Sequence, residues 1–190
     1  MKQIDKLKIK FNYLDDLEIP KDIEKSFKKD WSKFYKNSKK NYYSKTRRVQ
    51  FKNFLKRIKK QKIDKDNFKK INIKYISPYM GYGVFAKENI PPYKILNQYT
   101  GILKLDKKIG VNNNSTFCFP DFKKYSIDGK KQGNWTRFMN HSHKANIIVW
   151  EFYDKERPYI IFTSGSRGIK KNHELVYSYG DLYWREEDNI

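Results

Sequence analysis

Cysteine occurs once in the 190 residues, at Cys118, which excludes an intramolecular disulfide and a cysteine-based zinc cluster. Cys118 itself reads as a small buried apolar residue. No stretch approaches the roughly 18 consecutive apolar residues of a membrane span, so no membrane partner is expected. The opening residues, Met1 to Lys10, hold no apolar run suited to a Sec-type signal peptide, and the expectation is a soluble chain, cytoplasmic in its source. No internal repeat is visible. Alanine appears only at Ala86 and Ala145, and arginine only 7 times against 35 lysines, a bias expected of an AT-rich coding sequence.

That bias tempers the formal charge of +21, which otherwise invites a nucleic-acid or chromatin reading. The charge is uneven: residues 1–72 hold 24 basic against 9 acidic side chains, residues 73–190 hold 18 against 12. The positive field therefore belongs mainly to the first third of the chain.

Pro20 followed by Lys21 to Lys36 predicts a helix opening on proline, with Ile23, Phe27, Trp31 and Phe34 on one face. Ser44 or Thr46 can cap a second helix with Phe51, Phe54, Leu55 and Ile58 as its apolar face and lysines elsewhere. Such stripes either pack on the rest of the domain or leave a lysine face for DNA, acidic histone surface or membrane. Lys56 to Lys62 could also act as a nuclear-import signal, though such runs arise easily in a lysine-rich chain. Beyond residue 70, Ile71, Ile73 and Tyr75 alternate with polar residues. Short β-prone segments follow at Tyr82–Ala86, Ile95–Tyr99, Tyr125–Ile127, Ile147–Phe152 and Tyr159–Thr163, punctuated by Pro, Gly and Asn. Lys107 to Ser115 has turn chemistry and predicts a surface loop.

The densest polar stretch runs from Gly133 to Asn146, with Arg137-Phe138-Met139-Asn140-His141-Ser142 at its centre, and it reads as a site. Gly81 and Gly83 in Gly81-Tyr82-Gly83-Val84-Phe85-Ala86 would let backbone approach a ligand closely, or in isolation form a hairpin turn. Asn140 and His141 offer an amide and backbone groups that match an adenine edge. His141 alone reads as a packed histidine; the motif around it favours a ligand contact through its backbone.

With Tyr99-Thr100-Gly101, Glu174-Leu175-Val176-Tyr177-Ser178-Tyr179-Gly180 and the ending Asp181-Leu182-Tyr183-Trp184, these motifs in this order resemble SET-domain protein-lysine methyltransferases. The ending is similar to the short viral SET proteins and to the secreted SET proteins of intracellular bacteria. The resemblance covers about Ile73 to Trp184. It implies an α+β fold, a β-rich SET domain at 73–184 with a C-terminal pseudoknot, preceded by a basic helical extension at 1–72 and followed by a short tail at 185–190.

The resemblance also implies roles. S-adenosyl-L-methionine would be held by Gly81, Tyr82, Gly83, Arg137, Asn140, His141, Tyr179 and Trp184. Tyr179 and Tyr177 would be the catalytic residues, and Phe117, Phe119 and Tyr177 the walls of a lysine channel. A lysine drawn into a dry aromatic channel beside a sulfonium loses its proton readily, through desolvation and like-charge repulsion. For Phe119 alone, core packing is the stronger reading, and Trp184 suits an adenine cover or a core or dimer contact equally. His143 stands where many relatives carry a zinc-sharing cysteine, and no metal is expected. Ala145 and Asn172-His173 depart from the family's Pro and Gly-Glu, although asparagine tolerates the left-handed turn of a glycine.

The partner expected is a protein bearing the target lysine, a histone or a basic DNA-binding protein; weak nucleic-acid contact and a homodimer are left open. The resemblance to secreted proteins implies delivery into a host cell and its nucleus. Two rival readings are a catalytically silent SET-fold module that binds chromatin or nucleic acid through its basic face, and a nucleic-acid binder whose aromatics stack bases.

Overall fold

The computed structural model describes residues 11–37, 45–59, 70–110, 113–119 and 121–180. Its centre is the run Pro158-Tyr159-Ile160-Ile161-Phe162-Thr163-Ser164, an unbroken apolar stretch with a polar end. It forms a strand, β11 (Pro158–Ser164), that is buried along its whole length. A strand covered on both faces needs no polar alternation. β11 lies between β10 (Ile147–Tyr153) and β4 (Ile95–Gln98), antiparallel to both, with Ile147 opposite Ser164 and Tyr153 opposite Pro158.

Successive side chains of β11 point to opposite faces. Ile160 and Phe162 enter the main core, while Tyr159 and Ile161 join Phe152 in a second apolar cluster. Helix α2 (Lys45–Lys59) covers that second face with Phe51, Phe54 and Leu55, all at most 5% exposed. Phe51 meets Phe152 and Trp150 with ring centroids 5.2 and 5.9 Å apart. Of the expected apolar face, the side chain of Ile58 lies outside the described set, as does the cap candidate Ser44; Thr46 falls inside the helix.

Helix α1 (Lys21–Asn37) starts directly after Pro20 and buries Ile23, Phe27 and Trp31 at its expected spacing. Phe27 packs edge-on against Tyr125, and Trp31 against Phe122 and Tyr153. Its polar anchors are Trp31 Nε1, which donates to Asp154 O at 3.1 Å, and Asp30, which accepts from Lys124 Nζ and Tyr125 OH at 2.6 and 2.8 Å. The stripes of both helices are therefore packed on the β elements. Ahead of α1, β1 (Asn12–Tyr13) pairs in parallel with β8 (Gln132–Gly133), and Asp16 pairs with the buried Arg157, whose guanidinium lies 3.8 Å over the Tyr159 ring.

β2 (Ile71–Ser77) and β3 (Gly81–Ala86) form a hairpin in which Tyr75 faces Tyr82. A third sheet has the order β5 (Ile102–Leu105), β7 (Tyr125–Asp128), β6 (Thr116–Cys118). Cys118 corrects the sequence reading: the thiol is exposed, 3.8 Å from Asp106 Oδ1. Phe117 takes the inward position of the edge strand β6, and strand parity turns its neighbour outward.

The last described segment is wedged between two others. His173 O accepts from Ala86 N and Leu175 N donates to Val84 O, while β12 (Val176–Tyr177) runs parallel to β9 (Asn140–His141). Asn146 clips this segment in place, donating from Nδ2 to Glu174 O and accepting on Oδ1 from Val176 N. Asn172 adopts φ 68°, the left-handed turn anticipated for it.

Candidate active site

Three segments distant in sequence meet where β3, β9 and the C-terminal segment touch. Asn140 Nδ2 donates to Tyr82 O at 3.2 Å and to Glu174 Oε1 at 2.8 Å, so one amide holds all three together. A Cβ on Gly83 would lie 2.5 Å from the same Glu174 oxygen and 2.6 Å from Ile76 Cδ1. What comes close to Gly83 is thus the chain's own carboxylate and amide. Gly81 differs: its φ is 68°, and a Cβ there would meet nothing within 4 Å, so the hairpin is open on that side. Glu174 carries no signal of its own in the sequence beyond standing first in its motif.

Tyr179 is fastened at both ends. Its N–H donates to His141 Nδ1 at 3.1 Å, and its hydroxyl donates to Met139 O at 2.9 Å. A tyrosine hydroxyl that donates can also accept through its oxygen. Next to it stands an aromatic wall: Tyr177, 8% exposed, has its ring 4.8 Å from Tyr179, 5.2 Å from Phe162 and 6.3 Å from Phe117, the last nearly parallel. Behind Phe117 lies Tyr99, whose hydroxyl donates to Ser115 O at 2.6 Å.

Of the residues singled out in the sequence, Tyr82, Gly83, Asn140, His141, Tyr177 and Tyr179 come together here. Arg137 lies on the wall side, donating to Ser115 Oγ at 3.0 Å and covering the Phe138 and Phe11 rings. Phe119 is fully buried in the main core cluster, the placement its packing reading requires. Trp184 lies outside the described residues. His143 is exposed with its ring 4.6 Å from His141, and among the described residues no group of three or more metal donors occurs.

Burial, and then the neighbouring His143, hold the His141 pKa below its ordinary value of 6.5. The geometry agrees, because Nδ1 can accept from Tyr179 only while it carries no proton. The unfolded chain then binds the proton first, so stability is full above pH 6.5 and is lost as pH falls through 6.5 toward the folded value. The melting temperature is expected to drop between pH 7.5 and 5.5. His141→Asn, which keeps an acceptor that does not titrate, should flatten that dependence; an unchanged pH slope in this variant would assign it to other groups.

The chain matches the family model "SET domain" over residues 81–180. Human histone-lysine N-methyltransferase EHMT1 is 31% identical over 113 residues, covering 55% of this chain and 9% of that protein. Caenorhabditis elegans histone-lysine N-methyltransferase set-2 is 30% identical over 129 residues, covering 62% and 8%. Among solved structures, ctPRC2 in an autoinhibited conformation bound to S-adenosylmethionine superposes with a TM-score of 0.52 at 25% identity, over 63% of this chain and 16% of that one. An active polycomb repressive complex 2 in the stimulated state gives 0.51 at 26% identity, over 58% and 15%. The chain spans less than a tenth of the length of either methyltransferase relative. A family match that runs from β3 through the Asn140 junction to the Tyr179 wall, together with the shared fold, makes this chain a member of the SET domain family.

Proposed function

We propose that the chain transfers methyl groups from S-adenosyl-L-methionine to lysine side chains of a protein substrate. The observation that carries this reading is Tyr179, its hydroxyl anchored on Met139 O and its ring set against Tyr177 beside Phe117 and Phe162. A rigid hydroxyl at the end of an aromatic wall positions an amine, while the ring faces grip lysine methylenes and exclude water.

The cofactor would supply an electrophilic methyl group on a sulfonium. Its fit is supported by the open side of Gly81 and by Asn140, whose Nδ2 is engaged while its Oδ1 has no donor among the described residues, an acceptor suited to an exocyclic amine. Asn140→Ala should weaken cofactor binding by about 1–3 kcal/mol, roughly 5- to 150-fold, because a buried polar edge loses its partner. Calorimetry on the folded variant measures it, and an unchanged dissociation constant would remove Asn140 from the cofactor site.

The direct test of the function is transfer of labelled methyl from S-adenosyl-L-methionine to histones and to basic DNA-binding proteins, with modified lysines mapped by mass spectrometry. Binding of cofactor without transfer to any protein would favour the silent module instead. Histones lead the candidates because the relatives are named for histone lysine methylation. Delivery into a host nucleus is the reading that the resemblance of the ending Tyr179 to Trp184 to secreted SET proteins of intracellular bacteria would imply, and locating a tagged chain in host cells tests it.

The product state follows from Tyr177. A hydroxyl at this position holds a water beside the amine, and displacing it for a bulkier methylated amine costs up to about 2 kcal/mol. Phe117 lacks the hydroxyl that would fix the amine further, so a second methyl is tolerated. Mono- and dimethyllysine are the expected products, with Tyr177→Phe shifting them toward trimethyllysine; a wild-type time course that runs directly to trimethyllysine would defeat the assignment.

A further inference from the structure

Helix α2 differs in charge from the rest of this lysine-rich chain. It carries seven basic residues and no acid in fifteen positions, whereas the seventeen residues of α1 mix six basic with three acidic ones. Composition bias alone would load both helices alike. Arg48, Lys52 and Lys56 recur every four residues, a row that rises about 6 Å per step along one side of the helix. Lys52 and Lys56 are exposed, as are Gln50 before them and Asn53 between them, and Val49 is the one exposed large apolar side chain on the described part of the helix.

The opposite face is spent on the sheet: Phe51, Phe54 and Leu55 are buried against Phe152, Tyr159 and Ile161. That rules out insertion into a membrane surface, which needs the apolar face of an amphipathic helix free. It also argues against a protein partner, whose interface would need apolar or aromatic anchors at its centre, since among the described side chains of the helix Val49 is the one exposed large apolar group. A row of cations without anchors suits a regular line of phosphates, where release of condensed counterions supplies the affinity.

We propose that the outward face of α2 docks on the phosphate backbone of duplex DNA, independently of base sequence. The choice of DNA rests on the histone substrate class proposed above, since histones carry DNA wrapped around them; the charge argument does not. The docking would hold the active site near lysines on the same particle.

The test is fluorescence anisotropy of the full chain with a labelled random-sequence duplex between 50 and 200 mM salt, without cofactor or substrate. Lys52→Gln/Lys56→Gln should flatten the log–log salt slope by about 1.8, two phosphate contacts at roughly 0.9 each. Lys52→Arg/Lys56→Arg should retain the slope. Lys29→Gln/Lys33→Gln, an exposed pair at the same spacing on α1, should leave it unchanged. Equal flattening by the α1 and α2 pairs would show general charge attraction and overturn the proposal. So would no flattening by either pair, displacement of the duplex by polyglutamate at equal charge concentration, or tighter binding of duplex RNA. Thermal melts of each variant confirm folding. Methyl transfer to an isolated peptide, assayed in parallel, should be unchanged in the α2 variants; its absence in wild type would defeat the enzymatic reading while leaving the docking measurement interpretable.

Discussion

Tyr179→Phe is expected to lower kcat by roughly 10²–10³-fold, about 2.7–4 kcal/mol of transition-state stabilisation, while cofactor binding changes little. The substitution removes one oxygen. The ring remains against Tyr177, and the backbone N–H still donates to His141 Nδ1, so the architecture around the site is kept. What goes is the group that donates to Met139 O and that, in the mechanism proposed above, orients the amine. Losing that single hydrogen bond should cost about 1 kcal/mol of stability, so rates must be compared well below the melting transition. Single-turnover transfer of labelled methyl at saturating cofactor isolates the chemical step. A variant that turns over like wild type would take Tyr179 out of the mechanism and, with it, the observation on which the functional reading stands.

The second large effect is on stability. Trp31→Ala should destabilise the fold by about 3–5 kcal/mol, the usual cost of emptying a large aromatic site. Trp31 is 1% exposed, packs against rings from α1 itself, Phe122 and Tyr153, and also donates to Asp154 O. Against a total stability of about 5–15 kcal/mol, such a loss leaves a marginal protein. Denaturant unfolding followed by far-UV circular dichroism measures it, and a loss below about 0.5 kcal/mol, the level of ordinary surface changes, would mean that α1 is loosely docked. By the same argument, removing residues 1–60 should leave an insoluble remainder, because Trp150, Phe152, Tyr159 and Ile161 would lose the cover of α2.

These two sites were legible to different degrees. The stripe Ile23, Phe27, Trp31 and the strands at 82–86, 95–99, 125–127, 147–152 and 159–163 follow from local periodicity, and the structure places them within a residue or two. The two-residue strands β1, β8, β9 and β12 left no periodic trace, because two residues define no period and only a partner from elsewhere in the chain makes them strands. Cys118 was misread because its side follows from Phe117, whose inward position depends on Tyr177 and Phe162. Asn140 was legible as a polar residue in a motif. Its partner Glu174 was not, since nothing local says which of 21 acidic residues will meet an amide 34 positions away.

The packing of α1 and α2 on parts of the chain made much later also sets how the chain reaches its native state. Both helices leave the ribosome before any of β10 or β11 exists, with Phe27, Trp31, Phe51 and Phe54 lacking the surfaces that later bury them. Trp31 finds Asp154 only 123 residues on, and Asp16 finds Arg157 only 141 residues on. Loops of that size are entropically expensive to close and slow a search that local helices would otherwise finish in microseconds. Native packing therefore waits until β10 and β11 have been made, and the aromatic stripes that stabilise the folded protein are, until then, the surfaces through which nascent copies would stick to one another. Refolding by dilution from denaturant should lose yield steeply with protein concentration, and a concentration-independent yield would contradict this account.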